Sequence, residues 1–359
     1  MDYIACLKAR NFRSYRVLDL EFDQKFVVFY GPNGAGKSNI LEAISIFMAS
    51  RGMRRCAMEH MTHHGCRIAE VEMECVWKSV RHFLCTKIID GKRQHMLDGA
   101  TVSGLQSLRQ YFWQTWITPD MSNFFIESPG HRRNFFDALI SALDAQYAEN
   151  LKNLLYVNKE RLRVTDPVWL SSLEEQSASL SVALTLRRAE YMRNLRQIVC
   201  DMADIEVELD CQIWSSLQTM SEEDVILQLQ EYMLCSRIRD VLKQQNSIGA
   251  HRACWELKYQ GKSIILSSRG EQKITLIMLV LASLKLYRQC YPNKHSILLL
   301  DDIMTYLDDV VREYLVRSLL DLNVQTFCSG TDREFFDSVQ HYHSSASFFL
   351  VKNSVCYQQ

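Results

Sequence analysis

Residues Gly31-Pro32-Asn33-Gly34-Ala35-Gly36-Lys37-Ser38 satisfy G-x-x-x-x-G-K-[ST] at every fixed position. The pattern constrains the fold because it works only where a strand runs into a tight glycine turn and on into a helix. The flanks fit that demand. Phe26 to Tyr30 is apolar and rich in β-branched and aromatic residues, and Asn39 to Met48 places Ile40, Leu41, Ile44 and Phe47 at helical spacing. In such a turn the glycines let backbone N–H groups curl round an anion, and the helix N-terminus adds the positive end of its dipole. Lys37 is expected to reach the β- and γ-phosphates of ATP, and Ser38 to offer its hydroxyl to Mg²⁺. The loop from Gly31 through Pro32, Asn33, Gly34, Ala35 and Gly36 to Asn39 is expected to cradle the nucleotide.

Two further motifs belong with the first. Ile297-Leu298-Leu299-Leu300 is a buried-strand pattern that ends in Asp301-Asp302. By position Asp301 is expected to hold the metal through water, and Asp302 to orient or deprotonate the attacking water. Between the two lies Ser267-Ser268-Arg269-Gly270-Glu271-Gln272-Lys273, followed at once by a long apolar helix. Ser268 and the N–H of Gly270 at a helix start form an anion-binding pattern. The order of glycine-rich loop, signature and acidic strand is that of ABC-type ATPases. In that class the signature of one subunit completes the phosphate site of another, so Ser268 and Gly270 are expected to act across a homodimer. The stretch from Lys37 to Ser268 is too long for a compact transporter subunit and far too short for a head carrying a long coiled coil.

The chain has 359 residues, enough for two domains at about 150 residues each. Lys and Arg total 41 against 42 Asp and Glu, so no global basic field advertises nucleic acid and no acidic block advertises disorder. No apolar stretch is long enough to span a bilayer, and the first residues lack the pattern of a secretion signal, so a cytoplasmic location is expected. The 12 cysteines include no C-x-x-C pair and read as reduced thiols. His60, His63, His64 and Cys66 read as a polar loop before a strand rather than as a metal cluster.

Strands are expected at Tyr3 to Phe12 and Val17 to Phe22, with strand character again over 68–97, where Ile68, Val71, Met73 and Cys75 interleave with Glu70, Glu72 and Glu74. Helical periodicity takes over from about 130 to 203, broken at Asp166-Pro167, and resumes at Ser221 to about Gln245. Strands return at Trp255 to Tyr259 and Ser263 to Leu266, then a helix at Glu271 to Tyr287. The fold class is therefore α/β: an ATPase lobe I of mixed α/β with an antiparallel part, formed by 1–125 and 249–359, and an inserted, mainly helical lobe II over 126–248.

Taken together the motifs resemble one family, RecF. The resemblance runs along the chain through Ala9-Arg10-Asn11-Phe12-Arg13-Ser14-Tyr15, Asn39-Ile40-Leu41-Glu42-Ala43, Arg51-Gly52-Met53-Arg54-Arg55, Ser128-Pro129-Gly130-His131-Arg132-Arg133-Asn134-Phe135-Phe136-Asp137, Gly249-Ala250-His251-Arg252, the Ser-x-Gly-Glu-Gln-Lys signature and Leu-Leu-Leu-Asp-Asp. It implies an ABC-type ATPase head of two lobes without a long arm, ATP-dependent dimerisation, weak ATP hydrolysis used as a switch, and binding to duplex or gapped DNA. It also implies cooperation with RecO and RecR in loading RecA. Ala250 stands where the family has proline, no clear glutamine stands in the Thr118-Pro119-Asp120 region, and Ser329 follows the strand Gln325 to Cys328 where many ABC proteins carry histidine. Arg51, Arg54, Arg55, Arg132 and Arg133 are the candidate DNA contacts, with a solvated basic face or intramolecular ion pairing as the other reading of each group. Two readings of another class remain open at this stage: a nucleotide-gated interaction module and a P-loop kinase.

Overall fold

The computed structural model describes all residues except 1, 49–51, 103–107, 109–111, 201, 305–306, 323 and 337–345, and the side chain of residue 122. The chain divides into two compact units, one of Met1–Ser122 with Tyr291–Gln359, the other of Asn123–Cys290. One is a mixed α/β unit with an antiparallel sheet and the other is mainly helical, as the sequence led us to expect.

The first unit holds two sheets. Strands β1 (Tyr3–Phe12), β2 (Tyr15–Glu21), β4 (Ile68–Trp77), β5 (Val80–Ile89), β6 (Lys92–Leu97) and β7 (Ala100–Val102) form an antiparallel sheet in the order β2-β1-β4-β5-β6-β7. On β4 the residues Ala69, Val71, Met73 and Cys75 are buried while Glu70, Glu72 and Glu74 point away, the alternation of a sheet with one wet face. The second sheet joins both ends of the chain, in the order β15-β14-β3-β13-β12-β8. Its strands are β3 (Phe26–Tyr30), β8 (Phe112–Ile117), β12 (His295–Leu300), β13 (Gln325–Gly330), β14 (Ala346–Lys352) and β15 (Val355–Gln358). All are parallel except the β14–β15 hairpin. Every residue of β12 is buried, so it reads as a continuous apolar run. Phe22 packs edge to face on Phe29, Phe327 and Phe349 at centroid distances of 5.1–6.3 Å, and Phe29 and Phe349 meet at a tilt. Helix α1 (Lys37–Ser45) follows β3, and α8 (Asp309–Asp321) lies between β12 and β13.

The second unit contains α2 (Pro129–Leu143), α3 (Ala145–Arg161), α4 (Pro167–Cys200), α5 (Gln212–Leu217), α6 (Glu222–Lys243) and α7 (Arg269–Cys290), with a small sheet of β9 (Ile205–Asp210), β10 (Cys254–Tyr259) and β11 (Lys262–Ser263). The expected break at Asp166-Pro167 starts α4, where Asp166 Oδ1 accepts the N–H of Trp169 at 2.8 Å. The unit runs on to Cys290, past the expected edge at 248, because α7 is buried over most of its surface and packs on α4 and α2. Ser268 and Gly270 therefore belong to this unit.

Two differences have local causes. The segment Ile264–Leu266 is a 3₁₀ turn, with Gln272 Nε2 donating to the carbonyls of Ile264 and Ser267, and only Lys262–Ser263 remains as strand. Strand β9 interrupts the helical unit, with Ile205, Val207 and Leu209 inward and paired antiparallel to β10. All twelve cysteines are free thiols.

Candidate nucleotide-binding site

The glycine-rich loop leaves β3 where the parallel strands end. Gly31 sits at φ 143°, its N–H directed at the carbonyls of Gly330 and Thr331, and a Cβ there would lie 2.3 Å from the carbonyl oxygen of Val351. Only glycine lets the chain pass so close to β14. Gly36, at φ 110°, is the N-cap of α1, and a Cβ on it would meet the Tyr15 hydroxyl at 2.8 Å. Gly34, by contrast, has open space where its Cβ would be. Gly31, Pro32 and Ala35 shape the loop from behind. Asn33, Gly34, Gly36, Lys37, Ser38 and Asn39 line one wall of a pocket of about 290 Å³.

Lys37 is only 6% exposed, and its Nζ donates to the carbonyls of Gly31 at 2.7 Å and Pro32 at 3.0 Å. Burial lowers its pKa, and the carboxylates of Asp302, Asp301 and Asp332 pull in the opposite direction. Asn39 turns its amide to Ser14, donating to Oγ at 2.9 Å.

The opposite wall carries the acids. Asp301 is buried; its N–H bonds the Ile117 carbonyl at 3.0 Å, and its Oδ2 lies 3.3 Å from Arg54 Nη2. Asp302 follows in a left-handed conformation at φ 52°. Both acids, with Ser329, Arg54 and Pro119, line the same pocket as the loop. Behind it, Glu42 of α1 is fully buried and accepts from Arg13 Nη2 at 2.8 Å, which ties the helix to the β1–β2 turn. In sequence Arg54 reads only as a candidate DNA contact and Ser329 only as a departure from the ABC histidine position; that both meet Asp301 in the pocket comes from the fold. The residues present fit Mg²⁺ and a polyphosphate: the Ser38 hydroxyl and an Asp301 oxygen are hard donors lining the pocket, and Lys37 lines it beside them.

The remaining candidates separate. Ser268 is the N-cap of α7: its Oγ accepts the N–H of Glu271 at 3.3 Å while Glu271 Oε2 accepts the N–H of Ser268 at 2.6 Å, a reciprocal capping box. Gly270 lies in the first turn. Arg51 lies outside the described residues. Arg54 lines the pocket and pairs with Asp301. Arg132 is 8% exposed, with Nε on the Trp255 carbonyl and Nη1 on those of Phe125 and Glu127, where it closes the turn before α2. Arg133 is half-buried and donates to Ala253 O at 3.1 Å, and Arg55 is exposed. The His60–Cys66 group forms no metal cluster among the described residues; Glu70, Glu72 and Cys85 do come together there.

A parallel sheet that feeds a glycine-rich loop from its central strand, with paired carboxylates ending a nearby strand over the same pocket, defines a P-loop nucleotide-binding protein. More narrowly, the chain belongs to the RecF/RecN/SMC N-terminal domain family, whose model matches residues 3–352. Among sequence relatives, the "DNA replication and repair protein RecF" of Rickettsia bellii (strain OSU 85-389) is 28% identical over 352 residues, which cover 92% of this chain and 94% of that protein. The protein of the same name from Rickettsia typhi is 27% identical over 363 residues, covering 98% and 99%. The structure described as "the recombination mediator protein RecF-ATP in RecFOR pathway" shares the fold at a TM-score of 0.85 and 21% identity, over 100% of this chain and 99% of that one. The resemblance to RecF read from the motifs thus holds in sequence and in fold. No helix among the described residues is long and apolar enough to cross a membrane.

Proposed function

We propose that this chain is a RecF-type, ATP-dependent DNA-repair protein. It binds ATP·Mg²⁺, pairs with a second copy across the nucleotide, closes on duplex or gapped DNA, and works with RecO and RecR to load RecA. Slow hydrolysis to ADP and phosphate opens the pair again. The observation that carries this reading is the convergence of Lys37, Ser38, Asp301 and Asp302 on one pocket in a chain of this family.

The residues divide the work. Lys37 exchanges the Gly31 and Pro32 carbonyls for phosphate oxygens, which lets a buried ammonium keep its hydrogen bonds while gaining opposite charge. Ser38 and Asp301 hold the metal, which when bound neutralises charge on the phosphate oxygens. Asp302 orients the attacking water and takes its proton. Ser268 uses its oxygen to cap its own helix and keeps its proton to donate to the terminal phosphate held by the partner copy, beside the Gly270 N–H.

The test is the solution mass of Asp302→Asn with and without ATP·Mg²⁺. Slowed hydrolysis should trap the sandwich, giving a monomer alone and a dimer with nucleotide, and Ser268→Arg added to it should abolish the doubling. ATP binding without any doubling would overturn the composite site and favour a monomeric phosphotransferase.

A further inference from the structure

Ser329, near the end of β13, has its side chain buried to 1% exposure beside the pocket and lies between the two acids. Its Oγ accepts the backbone N–H of Asp302 at 2.9 Å and donates to Asp301 Oδ1 at 2.8 Å. The directions are fixed by chemistry: the amide can only donate, an ionised carboxylate can only accept, and a hydroxyl does one of each at once. We propose that Ser329 is a positioning residue for hydrolysis, a single hydroxyl that aims Asp301 and holds the backbone of Asp302 without touching nucleotide. The inference rests on the ATPase reading above.

The geometry gives each bond a separate task. With Oδ1 held by Ser329, Oδ2 is the Asp301 oxygen that faces Arg54 and the pocket, so the carboxylate offers a defined oxygen to a metal-bound water. The second bond bears on Asp302, whose φ of 52° is costly for a residue with a Cβ and persists only where its surroundings enforce it. The Ser329 hydroxyl is one such restraint. Without it the Asp302 backbone can relax toward ordinary φ, and its carboxylate swings away from the line of attack. Both effects fall on the chemical step, whereas Lys37 and the loop that grip the phosphates are bonded elsewhere. This also gives a role to the position after Cys328, where the ABC pattern led us to look for histidine.

The experiment measures steady-state ATP turnover, equilibrium binding of ATP in the absence of Mg²⁺, and thermal midpoint for the unmodified chain, Ser329→Ala and Ser329→Thr. Loss of a group that orients an acid is expected to lower kcat by about 10–100-fold. Metal-free ATP affinity should stay within about threefold, because the phosphate-binding loop keeps its own bonds. Ser329→Thr, which retains the hydroxyl, should restore most of the turnover. Unchanged kcat in Ser329→Ala overturns the inference. So does a parallel fall of kcat, affinity and thermal midpoint, which would make Ser329 part of the scaffold only. If the unmodified chain itself fails to bind ATP, the ATPase reading falls and this inference with it; binding with unaltered turnover in the variant sinks this inference alone.

Discussion

His95 of β6 is buried against Thr86 of β5, its Nδ1 2.9 Å from the hydroxyl, and burial together with the nearby Arg93 cation pushes its pKa down to about 4. The unfolded chain takes up this proton near the ordinary value of 6.5, while the folded chain resists until about 4. Stability is therefore whole above pH 6.5 and falls as the pH drops from there to 4, by up to about 3 kcal/mol from this group. Urea unfolding of His95→Gln across that window should show a shallower acid slope than the unmodified chain; identical slopes would mean the imidazole is not the cause. Residues such as His95 leave no trace in the sequence, and the pocket divides along the same line. Lys37, Ser38, Asp301 and Asp302 were legible because each sits at a fixed place in a local motif. Arg54 and Ser329 were not, because their meaning lies in a contact with Asp301 from far along the chain.

At the scale of elements, legibility followed the length and regularity of the pattern. α4 and α7 carry sustained periodic or apolar runs and were read to within a few residues, and the glycine-rich loop fixed β3 and α1. β9 was lost because its alternation of Ile205, Val207 and Leu209 with acids spans 6 residues between helices. The 68–97 region was read as strand without its turns, although Asp90-Gly91 takes the left-handed pair of φ values, 49° and 73°, that a tight hairpin demands. What the periodicity could not supply is the set of buried ions joining the helices. Arg188 of α4 is fully buried, bonded to both carboxylate oxygens of Asp137 on α2, to the Tyr147 hydroxyl on α3 and to the Ala250 carbonyl. Arg188→Ala would leave Asp137 buried without its cation, at a cost of about 3–5 kcal/mol. Asp137→Asn with Arg188→Met should recover part of that loss, since no charge is then stranded. Chemical denaturation of the three proteins checks the order; a double variant no better than Arg188→Ala would show that packing volume, not charge, sets the cost.

At the scale of the whole molecule the net charge is −1, so proposed DNA binding has to come from local clusters rather than an overall field. The bonds these arginines make sharpen where to look. Arg132 spends its Nε and Nη1 on three carbonyls within its own unit, and Arg54 faces Asp301 in the nucleotide pocket. Arg55, one position further, is exposed and remains a candidate for phosphate contact. Each phosphate neutralised by a cation steepens the fall of log affinity with log salt by about 0.9 on duplex DNA. Arg55→Gln should therefore flatten that dependence by about one unit and leave the thermal midpoint where it was. Arg132→Gln should do the reverse: it strips donors from buried carbonyls, so the midpoint drops while the salt slope, measured below the new midpoint, stays the same. A flattened slope with an unchanged midpoint in Arg132→Gln would return that side chain to the DNA surface. An unchanged slope in Arg55→Gln would move the search to other exposed cations. The two variants together separate a basic residue that holds the protein from one that holds its ligand, a distinction that an R-R pair in the sequence leaves open.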